Sequence, residues 1–162
     1  MSMICNLFVT PSETASRLAA DPQTIFDVLD VLDGTDADLS LEKSWHALQF
    51  LLTGEPWSGD PPLNFLTDGG NSVGDIDIGY GPARIFESSD VTTLNAALEK
   101  FSQSDLEARF DPGAMMAADI YPNIWDEPLD GLKREYGGYL QLLKEHVQDA
   151  AIANHALLIT FR

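Results

Sequence analysis

The chain has 162 residues, of which 44% are hydrophobic, and 26 acidic against 9 basic residues give it a formal net charge of −17. This composition argues against disorder, and a single cysteine, Cys5, argues against a disulfide scaffold and fits a reducing, cytoplasmic compartment. No apolar run approaches the roughly 18 residues of a membrane span. Nucleic-acid binding is not expected, because phosphate neutralisation needs clustered Lys and Arg. The length suits one domain over residues 1–162.

The first quarter of the chain predicts one strand and two helices. Residues 4–9 are short and apolar and predict a buried strand, and residues 12–20 predict a short helix. Residues 25–32 carry apolar side chains at i, i+3, i+4 and i+7, which is typical of an amphipathic helix, and Gly34 ends it.

A third helix is predicted over residues 41–53, with Ser40 as its N-cap and Gly54 at its end. The side chains of one face form the core stripe: Leu41, Trp45, Leu48 and Leu52. The nearly opposite face carries an amine, an imidazole and an aromatic ring: Lys43, His46 and Phe50. Such a helix is either wedged between two layers or borders a cleft.

Residues 54–81 are rich in glycine and proline, and only residues 63–66 suggest a regular element. Within this stretch, residues 70–74 match the G-x-S-x-G pattern of a serine hydrolase, with Ser72 as nucleophile. That motif requires a following helix, and residues 74–79 are poor helix formers. We therefore interpret Ser72 as an incidental serine in a glycine-rich loop.

The second half predicts a strand at residues 83–86, a helix from Ser88 or Ser89 to Phe101 and a final strand at residues 156–161. Between them, Ser104 and Glu107 have capping-box spacing, and Asp111-Pro112 opens a short helix. The longest helix is predicted to begin at Asp126, with an interruption or a close approach at Gly137-Gly138. Together these elements predict an α+β fold, a three-layer α-β-α domain with a small mixed central sheet.

No cofactor or metal is expected. The three histidines lack ligand spacing, and Cys5 has no partner cysteine. The acidic stretch at residues 33–38 has its glycine in the wrong place for a calcium loop and is interpreted as a helix end and turn.

Six residues form a candidate pocket. A lone histidine is usually structural, but His46 lies on the unusual face described above. Arg84 follows a constrained turn, where it could neutralise a buried carboxylate or bind an anion, with Tyr80 as a wall. Aromatic residues before the longest helix could pack in the core or line the pocket. The candidate set is Trp45, His46, Tyr80, Arg84, Tyr121 and Trp125.

A second candidate surface is acidic. From Leu18 to Glu42 the chain has seven acidic residues and no basic one. The candidate face comprises Asp27, Asp30, Asp33, Asp36 and Asp38. It is either a solvated face or a docking surface for a basic partner. Negative charge near the end of a helix is unfavourable, and the sequence shows nothing that compensates for it.

Several segments resemble the YfbM-like family of small bacterial proteins of unknown function. They are residues 41–54, 62–70, 79–84 and 121–125, together with Met3, Ile4, Asn6 and the C-terminal strand. Ser2 and Cys5 depart from the family by standing in place of glycines. The resemblance implies a three-layer α-β fold and no established activity, catalytic residue or cofactor.

The leading functional hypothesis is a non-enzymatic interaction or small-ligand-binding module, for example an inhibitor or immunity-type protein whose acidic face masks a basic partner. The rival is an enzyme or nucleotide-type or anion-binding protein, with His46 as general base and Arg84 as anion clamp. The candidate partners are thus a basic protein and a small anionic ligand.

Overall fold

The apolar runs near the two ends of the chain form the centre of the sheet. The computed structural model describes residues 2–162. Strand β1 (Cys5–Thr10) pairs along its whole length with the last strand, so that Cys5 lies opposite Phe161 and Thr10 opposite Ala156. The strands in chain order are β1, β2 (Asp38–Glu42), β3 (Asn71–Ser72), β4 (Arg84–Phe86) and β5 (Ala156–Phe161). Their spatial order is β2-β1-β5-β4-β3.

Helices cover both faces of this sheet. The α-helices are α1 (Ser12–Ala20), α2 (Ile25–Leu32), α3 (Trp45–Thr53), α4 (Ser88–Lys100), α5 (Gln103–Arg109), α6 (Pro112–Ala117) and α7 (Leu129–Ile152). Because side chains alternate along a strand, Leu7 and Phe8 point to opposite faces. Leu7 packs in the core shared with α3 and α7, whereas Phe8 packs in the core shared with α1 and α2. The α+β class and its three layers are therefore confirmed.

The sheet is antiparallel throughout, so the prediction of a mixed sheet is wrong. A single helix between two strands would carry the chain back to the starting edge of the sheet, so that the next strand would be parallel. Two helices, α1 and α2, connect β1 to β2, and the chain therefore re-enters the sheet in the opposite direction.

The predicted helix over residues 41–53 is shorter than expected. Residues 38–42 form β2 instead, because Leu39 and Leu41 alternate with polar residues and the strand pairs with β1, with Leu39 opposite Leu7. Helix α3 begins at Trp45, and Ser44 rather than Ser40 occupies the N-cap position.

Three other boundaries differ from the sequence prediction. The capping box is formed by Ser102 and Asp105, not by Ser104. Residues 63–66 form turns, and α7 starts after Pro128 rather than after Asp126. Helix α7 runs without interruption through Gly137, where a Cβ would approach the Gln103 amide nitrogen to 2.5 Å. Within residues 2–162, no helix combines the length and hydropathy that crossing a membrane requires.

Candidate functional site

Helix α3 holds the loop that follows it against its own side. Gly54 ends the helix in a left-handed conformation (φ 80°), which turns the chain back. The Gln49 side-chain amide then donates to the Ser58 carbonyl at 2.6 Å, and the Thr53 hydroxyl lies 3.0 Å from the Glu55 carbonyl. These bonds fix residues 54–58 along α3.

This loop presents Trp57 at the surface. The Trp57 ring lies 4.2 Å from the His46 ring and 5.9 Å from the Trp45 ring, measured between centroids. It nevertheless remains 61% exposed. A large indole that is held in place and still faces solvent is an unusual surface feature, and Trp is enriched at binding hot spots.

A second loop presents Tyr80 to the same region. One Asp77 carboxylate oxygen accepts hydrogen bonds from the Gly79 and Gly81 amides, at 2.8 and 2.9 Å. The Tyr80 amide donates to the Phe161 carbonyl at 3.0 Å, so the turn is tied to the end of β5. At Gly79 (φ 146°) a Cβ would stand 3.0 Å from the Cα of the last residue, which explains the glycine.

The N-terminal segment closes the arrangement. The Trp45 indole nitrogen donates to the Met3 carbonyl at 3.1 Å, and the Met3 amide donates to the Tyr121 hydroxyl at 3.3 Å. Trp45 also packs edge-on against Phe161, with centroids 4.9 Å apart.

These residues surround two adjoining cavities, which we call the aromatic recess. Both cavities are lined by the same four residues: Met3, Trp45, Trp57 and Tyr80. The Arg84 compartment, about 340 Å³, adds Arg84, Ser72 and Phe161 to them. The Asp119 compartment, about 390 Å³, adds His46, Asp119, Tyr121 and Asn123. Both volumes lie in the range of small-molecule sites.

His46 holds the recess together and is not free for proton transfer. Its ring is 1% exposed, and its Nδ1 accepts the Tyr121 amide at 3.0 Å. This fixes the proton on Nε2, which donates to the Pro56 carbonyl at 3.0 Å. Burial lowers the pKa of His46, and a hydrogen bond to Pro56 and the charge of Asp119 only partly oppose this. Neither ring nitrogen therefore has an unused lone pair in this arrangement, and the general-base role stays a prediction.

Arg84 is also bonded within the protein. Its guanidinium donates to the carbonyls of Phe65, Leu66 and Gly69 at 3.0, 2.8 and 2.9 Å. It stays charged, although burial lowers its pKa. No carboxylate in residues 2–162 forms an ion pair with it, so neutralisation of a buried carboxylate is not its role. Arg84 anchors the turn that precedes β3 and lines the recess at the same time.

Trp125 does not line the recess, and its assignment as a pocket wall is wrong. Its indole nitrogen donates to the Ile120 carbonyl at 2.7 Å, and its ring packs against Phe110 and Tyr136 in the core. The structure brings together the other five candidates: Trp45, His46, Tyr80, Arg84 and Tyr121.

The acidic face is less uniform than the sequence indicates. Asp33 forms a bidentate ion pair with Arg162, at 2.7 and 3.0 Å, which compensates for the negative charge at the end of α2. Asp38 is half-buried and accepts from the Asn6 amide and the Gly34 backbone. Three members remain exposed without such a partner in the part of the chain described: Asp27, Asp30 and Asp36.

Ser72 lies in a short strand rather than in the predicted loop, and most of the acidic stretch forms the predicted turn. Ser72 belongs to β3, no helix follows before β4, and its hydroxyl donates to the Gly74 carbonyl at 3.0 Å. Residues 33–37 form turns and a bend, and Asp38 begins β2. Among residues 2–162, no cluster of three or more metal-ligating side chains is found.

Other cavities lie outside the recess. A polar cavity of about 510 Å³ lies between α5 and α7, and a wider one of about 680 Å³ lies along α4. A third, of about 390 Å³, is lined by Phe65 and Phe86. The aromatic recess differs from these because it combines exposed aromatic rings with charged groups.

Sequence reasoning missed several residues that line the recess, among them Trp57 and Asp119. Trp57 follows Pro56 in a glycine-rich loop and belongs to no apolar stripe. A large aromatic residue in such a position could have been predicted to lie at the surface. Asp119 lies in a turn with positive φ (53°), one of many acidic residues, and no sequence pattern marks it.

Comparison with known proteins agrees with the fold. The family model described as "Domain of unknown function (DUF1877)" matches residues 1–160. A crystal structure of YfbM from Escherichia coli, a protein of unknown function, aligns with a TM-score of 0.75 at 19% identity and covers 98% of this chain and 99% of that one. None of the curated proteins matches. The chain therefore belongs to the DUF1877 family, which confirms the resemblance to YfbM-like proteins.

Proposed function

We propose that this protein is a non-enzymatic binding module and that the aromatic recess takes a small ligand. The observation that carries the proposal is Trp57, which is 61% exposed although its loop is held by hydrogen bonds from α3. Tyr80, 38% exposed, faces the same space from another loop. Rigid aromatic side chains supply contact area at a low entropic cost, which favours recognition.

The hydrogen bonds of the polar residues favour binding over catalysis. His46 uses both ring nitrogens to hold Pro56 and Tyr121, and the Ser72 hydroxyl donates to a backbone carbonyl. Catalysis by either residue would require these bonds to break. Binding requires only that they persist.

The test is a ligand screen read by thermal shift and by tryptophan fluorescence. Trp57 and Trp45 line the recess, whereas Trp125 is buried away from it, so a ligand in the recess changes emission directly. Trp57→Ala should weaken a hit at least about tenfold, because hot-spot aromatics contribute about 2 kcal/mol or more. Phe26→Ala is the matched control, since Phe26 is an exposed aromatic residue on α2.

A hit that Trp57→Ala abolishes and Phe26→Ala preserves supports the proposal. Equal affinity in both variants places the ligand elsewhere and contradicts it. Because Trp57 contributes little to the buried core, its removal should leave the unfolding temperature within a few degrees of the parent protein.

A second candidate function is docking of a basic protein, of the inhibitor or immunity type, on the exposed face of α2. The observation that favours it is the mixture of side chains there. Phe26 and Val31 are 49% and 72% exposed, and they lie beside Asp27 and Asp30. Apolar groups among acidic ones fit a basic amphipathic surface, which the charge would also steer. A cytoplasmic setting, which the single buried cysteine favours, goes with either function.

A synthetic amphipathic peptide of lysine and leucine tests this candidate. Binding should weaken at high salt, and Asp27→Asn with Asp30→Asn should reduce affinity about tenfold. A control pair, Asp60→Asn with Asp126→Asn, removes the same charge elsewhere. Equal losses in the two pairs, or binding that is insensitive to salt, would contradict docking on α2.

A further inference from the structure

The two compartments of the aromatic recess carry opposite charges. Arg84 lines one, and its hydrogen bonds go to three uncharged backbone carbonyls. Asp119 lines the other and is exposed, with the Asn123 amide donating to it at 3.1 Å. Within residues 2–162, neither group forms an ion pair. Both charges are therefore available to a ligand.

The Asp119 compartment suits an organic cation. The rings of Trp45, Trp57 and Tyr121 line it, and the faces of aromatic rings attract alkylated ammonium or guanidinium groups. The carboxylate of Asp119 also attracts a cationic group. A bare metal ion fits less well, because it prefers a shell of several oxygen ligands.

The Arg84 compartment suits an anionic group. A guanidinium has five N–H donors, and three hydrogen bonds to carbonyls leave donors unused. A ligand bearing only a positive charge would be attracted by Asp119 and repelled by Arg84. A ligand that carries both charges satisfies both compartments.

We propose that the ligand is a small organic zwitterion, with its cationic group among the rings beside Asp119 and its carboxylate facing Arg84. This inference rests on the proposed binding function and specifies its ligand class. The wall shared by the compartments, formed by Trp45, Trp57 and Tyr80, lies beside the spacer between the two charges.

The experiment uses trimethylammonio carboxylates with spacers of one to four methylene groups. Each is compared with the free carboxylate of the same shape that bears a tert-butyl group, in which carbon replaces the charged nitrogen. Each is also compared with choline, which lacks the carboxylate. Affinities are measured by calorimetry and by tryptophan fluorescence. At least one zwitterion should bind about tenfold more tightly than its tert-butyl counterpart, and more tightly than choline.

Two variants assign the cationic end. Asp119→Asn should weaken the zwitterion about five- to tenfold and should not weaken the carboxylate that bears a tert-butyl group, because that anion is not attracted by Asp119. Asp126→Asn, an exposed aspartate on the same loop that does not line the recess, should change neither.

Equal binding of the zwitterion and its tert-butyl counterpart would overturn the inference, as would an Asp119→Asn variant with unchanged affinity. If no zwitterion binds but a ligand of another class binds in a manner that depends on Trp57, the ligand class is wrong and the proposed function stands. If no ligand of any class depends on Trp57, the proposed function itself is wrong.

Discussion

Replacing Arg84 by alanine should destabilise the protein strongly. The substitution removes three hydrogen bonds from a charged donor, to the carbonyls of Phe65, Leu66 and Gly69. Hydrogen bonds to charged groups contribute about 1.5–3 kcal/mol each, but bonds that share one side chain are not additive. Gly69 is exposed, so water can replace its bond, whereas Phe65 and Leu66 are buried. The two bonds to buried residues set the expected loss in the free energy of unfolding at about 3–5 kcal/mol.

Urea denaturation followed by circular dichroism measures this loss. Arg84→Lys keeps the charge, but an ammonium group cannot reach all three carbonyls in one geometry, so an intermediate loss of about 1–3 kcal/mol is expected. Arg134→Ala is the matched control, because Arg134 is exposed on α7, and it should stay within about 0.5 kcal/mol of the parent.

A loss of less than about 1 kcal/mol for Arg84→Ala would show that these hydrogen bonds do not stabilise the fold, because water would then satisfy the carbonyls. The outcome also bears on the anion-clamp hypothesis. A residue that served a ligand alone could be removed without loss of stability. The bonds in the structure indicate instead that Arg84→Ala cannot be used as a clean binding variant, which is why Asp119 carries the ligand test above.

Three further outcomes are expected. Burial lowers the pKa of His46 and His146 below 6.5, so the unfolded chain takes up protons first as the pH falls. Stability should therefore be complete above about pH 6.5 and decrease below it, by at most about 1.4 kcal/mol per pH unit for each histidine; urea midpoints that are equal at about pH 7.5 and 5.5 would contradict this. Asp33→Asn should cost about 0.5–1 kcal/mol at low salt and less at high salt, whereas Asp36→Asn, which breaks no ion pair, should be neutral; equal effects would show that the pair contributes nothing. Gly138→Ala should raise the free energy of unfolding by about 1 kcal/mol, since the site is an exposed helix interior with open space around the new Cβ; an unchanged unfolding temperature would contradict it.

Long periodic segments were the predictable part of the fold. The apolar runs of β1 and β5 and the apolar stripe of α2 each extend over enough residues to define an element. Strand β2 was missed because its alternation spans five residues and contains Ser40, which also satisfies the signal for a helix start. Strand β3 has two residues and therefore no pattern at all. Whether two strands run parallel or antiparallel depends on how the helices that connect them pack. A sequence pattern does not show this packing.

The site was predictable only where a side chain is unusual for its surroundings. Trp45, His46, Tyr80 and Arg84 stand out because aromatic, imidazole and guanidinium groups occur beside helix ends and tight turns. Their partners do not stand out, because most are backbone carbonyls and amides, which every residue possesses. Asp119 is missed for the related reason that an acidic residue is common in a chain of net charge −17.

The internal bonds of His46 and Arg84 are compatible with a binding site next to them. His46 ties the loop of Trp57 to the segment of Tyr121, and Arg84 ties the turn at residues 65–69 to β4. Both therefore fix walls of the aromatic recess before any ligand arrives. A wall that is ordered in advance loses little conformational entropy on binding, so even a small ligand can gain measurable affinity. His46 and Arg84 thus order the walls of the aromatic recess, and in the proposed site the exposed rings of Trp57 and Tyr80 and the charges of Asp119 and Arg84 would contact the ligand.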